Sequence, residues 1–373
     1  MNTALLYILT ESVSIFFLKL SEIVKKNETS PRHINNPNSR MTKYIFIFFS
    51  FIPLLLLLGF RGISVGVDTY RYSNVFYRIV TDTLSRSDQD WLGNGFIILG
   101  KIVNFLFGNN FVALNFIVAF FTLFFIYGAI LKLSENPSLS LFLFFSFCLF
   151  YQSMNQSRQM LSISIIFYSF TYLIDRKIIG YMLLVLLAAS IHNSAVIMIP
   201  FYFIANLKIN KKIIAIYIIS ALLILLFSNR IIQLIASTSY GVIYSSTDYF
   251  QSSSSSFFNL FVRIVMLIGI LIFYKKLINT SERYSLLINL IIWCTLFQII
   301  TLQVYIFARI TTYFFVAYIL LIPAVISLFK FNYKTKFIAS LVVILGFSLY
   351  HYIYYVNTAV DSGYNNYYSI FER

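Results

Sequence analysis

Apolar residues along this chain come in long unbroken runs, without the strict alternation that marks strands. About 20 apolar residues in a helix cover the hydrocarbon core of a bilayer, and only helices or closed barrels satisfy their backbone there. The runs therefore predict helices, at roughly 3–20, 43–60, 111–131, 138–153, 158–174, 178–191, 193–206, 213–228, 258–274, 285–300, 305–328 and 337–355. The expected fold class is all-α: a polytopic integral membrane protein of about twelve spans (range 10–13), with 1–373 as a single transmembrane domain. Neither an internal repeat nor a soluble domain is visible. Residues Trp91 to Phe107 look apolar but carry Gly93, Asn94, Gly95, Gly100, Lys101 and Asn104. They read as an interfacial or re-entrant helix within an outer segment 61–110. The short runs 178–191 and 193–206 read as a hairpin turning at Ile191 to Ser194. Segment 229–257 is too polar to span and too long for a tight turn, so it reads as a long outer loop.

Composition agrees: 59% of residues are hydrophobic and 11% charged. The net charge of +15 raises nucleic acid as a partner, but in such a chain it fits basic cytoplasmic loops better. The loop with Lys19, Lys25, Lys26, Arg32, Arg40 and Lys43 is placed inside on that rule. Alternation then puts Lys132, Arg176, Lys177, Lys208, Lys211, Lys212, Lys275, Lys276, Arg283, Lys330, Lys334 and Lys336 inside too. The basic residues left over are Arg61, Arg71, Arg78, Arg86, Lys101, Arg158, Arg230, Arg263, Arg309 and Arg373, nearly all arginine. Topology needs only positive charge. Arginine is preferred where a planar bidentate donor grips phosphate or carboxylate, so an Arg-rich outer face points to a phosphate-bearing ligand, with drift among solvated charges as the alternative. Cys148 and Cys294 lie inside apolar runs and read as packing residues. The first run has no basic stretch before it, so a cleaved signal peptide is not expected.

Candidate chemistry collects where apolar runs end. Arg61 closes the second run and opens Arg-Gly-Ile-Ser-Val-Gly-Val-Asp-Thr-Tyr-Arg-Tyr, ending at Tyr72. It either snorkels to the headgroups or serves a site. Asp68 either pairs with Arg61 or Arg71, or takes a proton from an attacking hydroxyl. Arg158 and Gln159 stand at the start of a predicted helix, where anions are favoured. His192 is either a core residue or a proton carrier. Arg309, four residues before Tyr313, and Arg263 sit within predicted spans, where an ionisable group is costly and by default functional. Tyr240 and Asp248 in the long loop, and the tail with Tyr364, Asn365, Asn366, Tyr367 and Tyr368, have a composition suited to stacking on and hydrogen-bonding sugars. No paired carboxylates of a hydrolase and no metal-ligand cluster are seen, so neither a metal nor a cofactor is expected.

Four of these elements resemble the EpsG-like and Wzy-type polysaccharide polymerases of bacterial membranes. They are the Arg61 turn, Asn155-x-x-Arg158-Gln159, the small-residue stretch from Ala188 through His192 to Ala195, and Arg309-x-x-x-Tyr313-Phe314. The chain departs from the pattern of an arginine followed sixteen residues later by glycine, since Tyr77 stands at that distance from Arg61. The resemblance implies a multi-pass protein of the bacterial inner membrane, with a GT-C-like bundle and an active site facing the periplasm. It would join undecaprenyl-pyrophosphate-linked repeat units into O-antigen or a related polysaccharide. Arg61, Asp68, Arg158, His192 and Arg309 would carry catalysis, with Tyr72, Gln159, Tyr313, Arg263, Tyr240 and Asp248 holding substrate. Lipid-linked glycans, membrane lipids and a chain-length regulator are the implied partners, with no nucleic acid. A flippase for the same lipids, or an O-antigen ligase or membrane O-acyltransferase, is the competing reading.

Overall fold

The computed structural model describes residues 2–28, 37–236, 254–302, 307–329 and 332–371. Among them the apolar runs are helices and no strand forms. In chain order these are α1 (Thr3–Glu28), α2 (Pro37–Gly59), α3 (Val67–Val80), α4 (Arg86–Leu92), α5 (Asn94–Phe107), α6 (Phe111–Leu133), α7 (Pro137–Ser146), α8 (Leu149–Asn155), α9 (Ser157–Ile174) and α10 (Ile178–Ile191). A 3₁₀ turn (Asn193–Met198) leads to α11 (Phe201–Ile204), α12 (Lys211–Ala236), α13 (Ser254–Ile272), α14 (Tyr274–Thr280), α15 (Arg283–Ile300), α16 (Ala308–Phe315), α17 (Tyr318–Ser327) and α18 (Tyr333–Thr358).

Six helical stretches are long and apolar enough to cross a membrane, or eight if each bent pair is one span. The expectation of about twelve is thus not reached among the described residues. The differences have local causes. The run at 138–153 breaks at Cys148, whose backbone is left-handed at φ 57°, and α7 and α8 meet there at 53°. The run 193–206 splits into the 3₁₀ turn and the four-residue α11, which ends on the turn Ala205 to Leu207. Helix α10 has 14 residues, about 21 Å of rise, short of a hydrocarbon core. Residues 94–107 do form a helix, also 14 residues long. Helix α12 continues through Ala236 and α13 starts at Ser254, so the expected loop 229–257 is helical at both ends. The stretch Ile231 to Ala236 contains no glycine or proline to stop a helix. Tyr240 and Asp248 lie outside the described residues.

The chain packs as two compact units. The first comprises Met1–Tyr168, Ser190–His192 and Phe329–Arg373. Here α1 packs on α2 and α7, α2 on α6, and α18 on α7. Buried hydroxyls tie these helices: Ser50 Oγ donates to the Ser14 carbonyl at 2.7 Å, and Tyr127 Oη to the Ser50 carbonyl at 3.0 Å. Asn136 caps α7 by accepting from Leu139 N at 3.2 Å, with Pro137 at the first helical position, where its missing N–H costs nothing. Outward-facing Phe48, Leu56, Phe124 and Leu345 are exposed, an arrangement costly in water and natural against lipid. The second unit comprises Ser169–Ala189 and Asn193–Leu328. In it Asn289 Nδ2 donates to the Ala205 and Leu207 carbonyls at 2.8 Å, and its Oδ1 accepts from Tyr217 at 2.9 Å. That polar knot joins α12, α15 and the end of α11. Cys148 and Cys294 are both free and buried.

Candidate functional site

The polar turn after α2 is held on two sides by the rest of the first unit. Gly66 has φ +85°, a region that side chains rarely adopt, and a Cβ there would lie 2.3 Å from the Met154 carbonyl of α8. Only glycine lets the turn lie against that helix. Asn155, which ends α8, accepts from the Asp68 amide at 2.9 Å. Thr69 Oγ1 donates to the Val65 carbonyl at 2.7 Å and reaches that of Met154 at 3.1 Å. The elements around Arg61, Asp68 and Asn155 are therefore one structure.

The tail closes the other side. Gly62 N donates to the Tyr368 carbonyl at 2.8 Å, Ile370 N to Phe60 at 3.0 Å and Gly66 N to Gly363 at 2.8 Å. Arg61 and Ser369 form an isolated antiparallel bridge. Ser64 N donates to Tyr368 Oη at 2.9 Å. The Tyr368 ring lies so close on Gly62 that a Cβ there would sit 1.9 Å from it.

Arg61 does not snorkel. It is 3% exposed, with Nη1 donating to the Leu58 carbonyl, while Nε and Nη2 are buried with no hydrogen-bond partner among the described residues. Burial pushes its pKa down to about 10, against the opposing pull of Tyr367, Tyr72 and Tyr7. The guanidinium therefore stays charged at neutral pH, in a setting where a buried cation without an acidic partner is costly.

Arg158 is likewise buried, at 2% exposure, where the polar break in the sequence predicts the outer surface. The reason is that α9 begins only one residue after α8 ends, so its first turn is packed. Nη1 donates to the Trp91 carbonyl and the guanidinium lies 4.3 Å from the Trp91 ring centroid. Arg71 lies over the same ring at 4.0 Å, and Tyr72 stacks on it at 5.8 Å and 18°. Trp91 thus carries two guanidinium groups. Each cation–π contact favours the pair by about 0.5–2 kcal/mol, yet the two like charges repel, and an anion beside them would relieve both. Arg158 Nε is buried with no hydrogen-bond partner among the described residues.

Gln159 and His192 are buried in the same unit, at 3% and 4% exposure. Gly95 at the start of α5 packs on Ser190, where a Cβ would meet Ser190 Oγ at 2.3 Å, so the stretch leading to His192 is seated against the segment that follows Trp91.

Arg263, Arg309 and Tyr313 belong to the second unit. Tyr313 is fully buried and its hydroxyl lies 3.1 Å from Ser194 Oγ. Arg309 stands in the first turn of α16. Arg263 lies 4.8 Å over the Phe315 ring, and Tyr318 donates to its carbonyl at 3.2 Å.

Sequence reasoning missed Trp91 and Arg71 as members of the site. A tryptophan ending a short polar helix, in a chain with only two, was the available signal. Among the described residues no three His, Cys, Asp or Glu side chains are grouped as metal ligands would be.

No curated protein and no solved structure matches the chain. A model of the EpsG family matches residues 44–371. That stretch takes in the Arg61 turn with the tail segment docked on it, Trp91 and Arg158, and the chain belongs to the EpsG family.

Proposed function

We propose that this protein polymerises lipid-linked saccharides, transferring a growing glycan from undecaprenyl pyrophosphate onto the next lipid-linked repeat unit at the outer face of the membrane. Membership of the EpsG family supports a membrane protein of polysaccharide biosynthesis with polymerase-like function. One observation carries the reaction proposed: Arg61 and Arg158 are buried guanidiniums of one unit, and no described residue satisfies Nε and Nη2 of Arg61 or Nε of Arg158.

In this reaction an acceptor hydroxyl attacks the anomeric carbon, and the bond from that carbon to the pyrophosphate oxygen breaks. Negative charge grows on the departing pyrophosphate. Fixed guanidiniums aimed at that charge stabilise it without reorganising, and their planar forks match phosphate oxygens. Arg158, in the first turn of α9, adds the positive end of the helix dipole. Asp68, in the first turn of α3, is assigned as acceptor of the hydroxyl proton, with His192 as the second candidate. Gln159, Tyr72 and the tail tyrosines are assigned to sugar contacts; in the second unit Arg309 remains a catalytic candidate, and Arg263 and Tyr313 substrate candidates.

A disruption strain tests the reading by its surface-glycan ladder. The expected result is loss of long chains with a lipid core that still carries a single repeat unit. A core with no repeat unit would indicate a flippase, and polymer left on the carrier lipid a ligase; either overturns the reading.

Orientation has its own test. Ser64 is exposed in the turn after Arg61, and the native thiols Cys148 and Cys294 are buried and should stay silent. Ser64→Cys is expected to react with a membrane-impermeant maleimide added to intact spheroplasts. Labelling only after the membrane is opened would place the turn on the cytoplasmic side.

A further inference from the structure

A second polar site lies outside the arginine turn, in the first unit, between α1 and α18. It is a cavity of about 530 Å³ whose floor comes from α7 and α8, within the roughly 300–1,000 Å³ of small-molecule sites. Its rims, Ile8 and Ser12 on one side and Ser348 and Val356 on the other, are exposed, so it opens sideways along two membrane-candidate helices. Helix α1 lies outside the stretch that the family model matches.

The polar groups of this groove point to one ligand class. Glu11 is an acidic residue within a candidate span, a placement that is costly and by default functional. Its carboxylate accepts from the buried Tyr151 hydroxyl. His351 faces the same groove, its ring 5.3 Å from that of Tyr151. His351 Nδ1 lies 3.1 Å from the Phe145 carbonyl, which can only accept, so Nδ1 carries the proton. In the neutral ring Nε2 is then an acceptor. A carboxylate and an imidazole nitrogen thus call for a ligand that donates hydrogen bonds, and the serine hydroxyls can serve either way. Tyr7 and Tyr355 add ring faces.

Charge narrows the choice. A phosphate would be repelled by Glu11. Tyr7 donates its own proton to the Tyr364 carbonyl at 2.8 Å, so a ligand at that end meets its ring and not a free donor. A sugar head supplies both parts of the match, hydroxyls that donate to Glu11 and His351 and C–H faces that lie on the tyrosine rings, and the lateral opening suits one that carries an alkyl or prenyl tail.

We propose that the groove between α1 and α18 binds the sugar head of an amphiphile that enters from the bilayer, with Glu11 and His351 accepting its hydroxyl protons. This site is distinct from the Arg61 turn, and its binding is read without turnover, so it stands or falls apart from the polymerase reading.

The test uses the full chain exchanged into an amphipol that carries no sugar, with thermal unfolding followed as octyl glucoside is added below its micelle concentration. A ligand held by the native state raises Tm in a saturable way. The expected result is such a rise for the wild type, with octanol and decyltrimethylammonium giving little, and an apparent Kd at least tenfold weaker in Glu11→Gln and in His351→Phe. Should either change unfold the protein, Ser12→Leu with Ser348→Leu fills the groove from exposed positions and should abolish the effect. Equal stabilisation by octanol, preference for the ammonium probe, or unchanged glucoside binding in the filled variant would overturn the proposal.

Discussion

Replacing Arg158 by alanine is expected to lower polymerisation by roughly 10²–10³, the usual loss when one donor to a transition-state oxyanion is removed. Arg158→Lys should also be impaired, because an ammonium keeps the charge but not the fork and cannot lie flat on Trp91 at the 4.3 Å the guanidinium occupies. Arg61 should behave alike. Both side chains are buried, so truncation also removes packing, and the loss must be normalised to folded protein in the membrane. The measurement is polymer formed per mole of purified protein from a lipid-linked repeat unit. Wild-type rates for the alanine variants at both positions would sink the role given to them in binding pyrophosphate.

The second large effect should come from a residue with no functional side chain. Gly62→Ala puts a methyl group 1.9 Å from the Tyr368 ring, closer than any real contact, so the ring has to leave the turn, alone or with the tail that carries it. A displaced ring gives up the bond from Ser64 N, and a displaced tail also gives up those from Gly62 N to Tyr368 and from Ile370 N to Phe60. Activity is expected to fall at least tenfold. Tyr368→Ala combined with Gly62→Ala should recover much of it, since the ring that clashes is gone. That rescue is a coupling between two positions, which a general loss of stability would not show. A double variant no better than Gly62→Ala alone would mean that the tail's fit is not what the glycine serves.

The residues explain why some of this was legible beforehand and some was not. Apolar runs such as Phe111 to Leu133 announce a helix because burial in lipid is decided by composition, residue by residue. Breaks inside a run are harder. Cys148 takes a left-handed backbone with no glycine to announce it, so α7 and α8 read as one span. Arg61, Asp68, Tyr72, Arg158, Gln159 and His192 do fall in one unit, since polar residues that interrupt apolar runs gather at helix ends. Trp91 and Arg71 were missed because the part of Trp91 depends on a contact with Arg158, far along the chain, and that of Arg71 on the same ring, which no local pattern encodes. Glu11 was missed for the opposite reason: one acid in an apolar run leaves the span recognisable and so escapes notice. The tail's tyrosines could be suspected from composition, but their docking rests on backbone N–H and C=O groups, which every sequence possesses.

That docking has a bearing on synthesis. Residues 60–67 leave the ribosome early, yet the groups that fix their backbone come from 362–370. Through most of translation the Arg61 turn therefore lacks its clasp, while the helices between are being inserted. A chain cut short before residue 362 could sit in the membrane with its spans in place and still leave the turn unclasped. The turn is thus completed only when residues 362–370 reach it, and shorter products would occupy the bilayer with the Arg61 turn open.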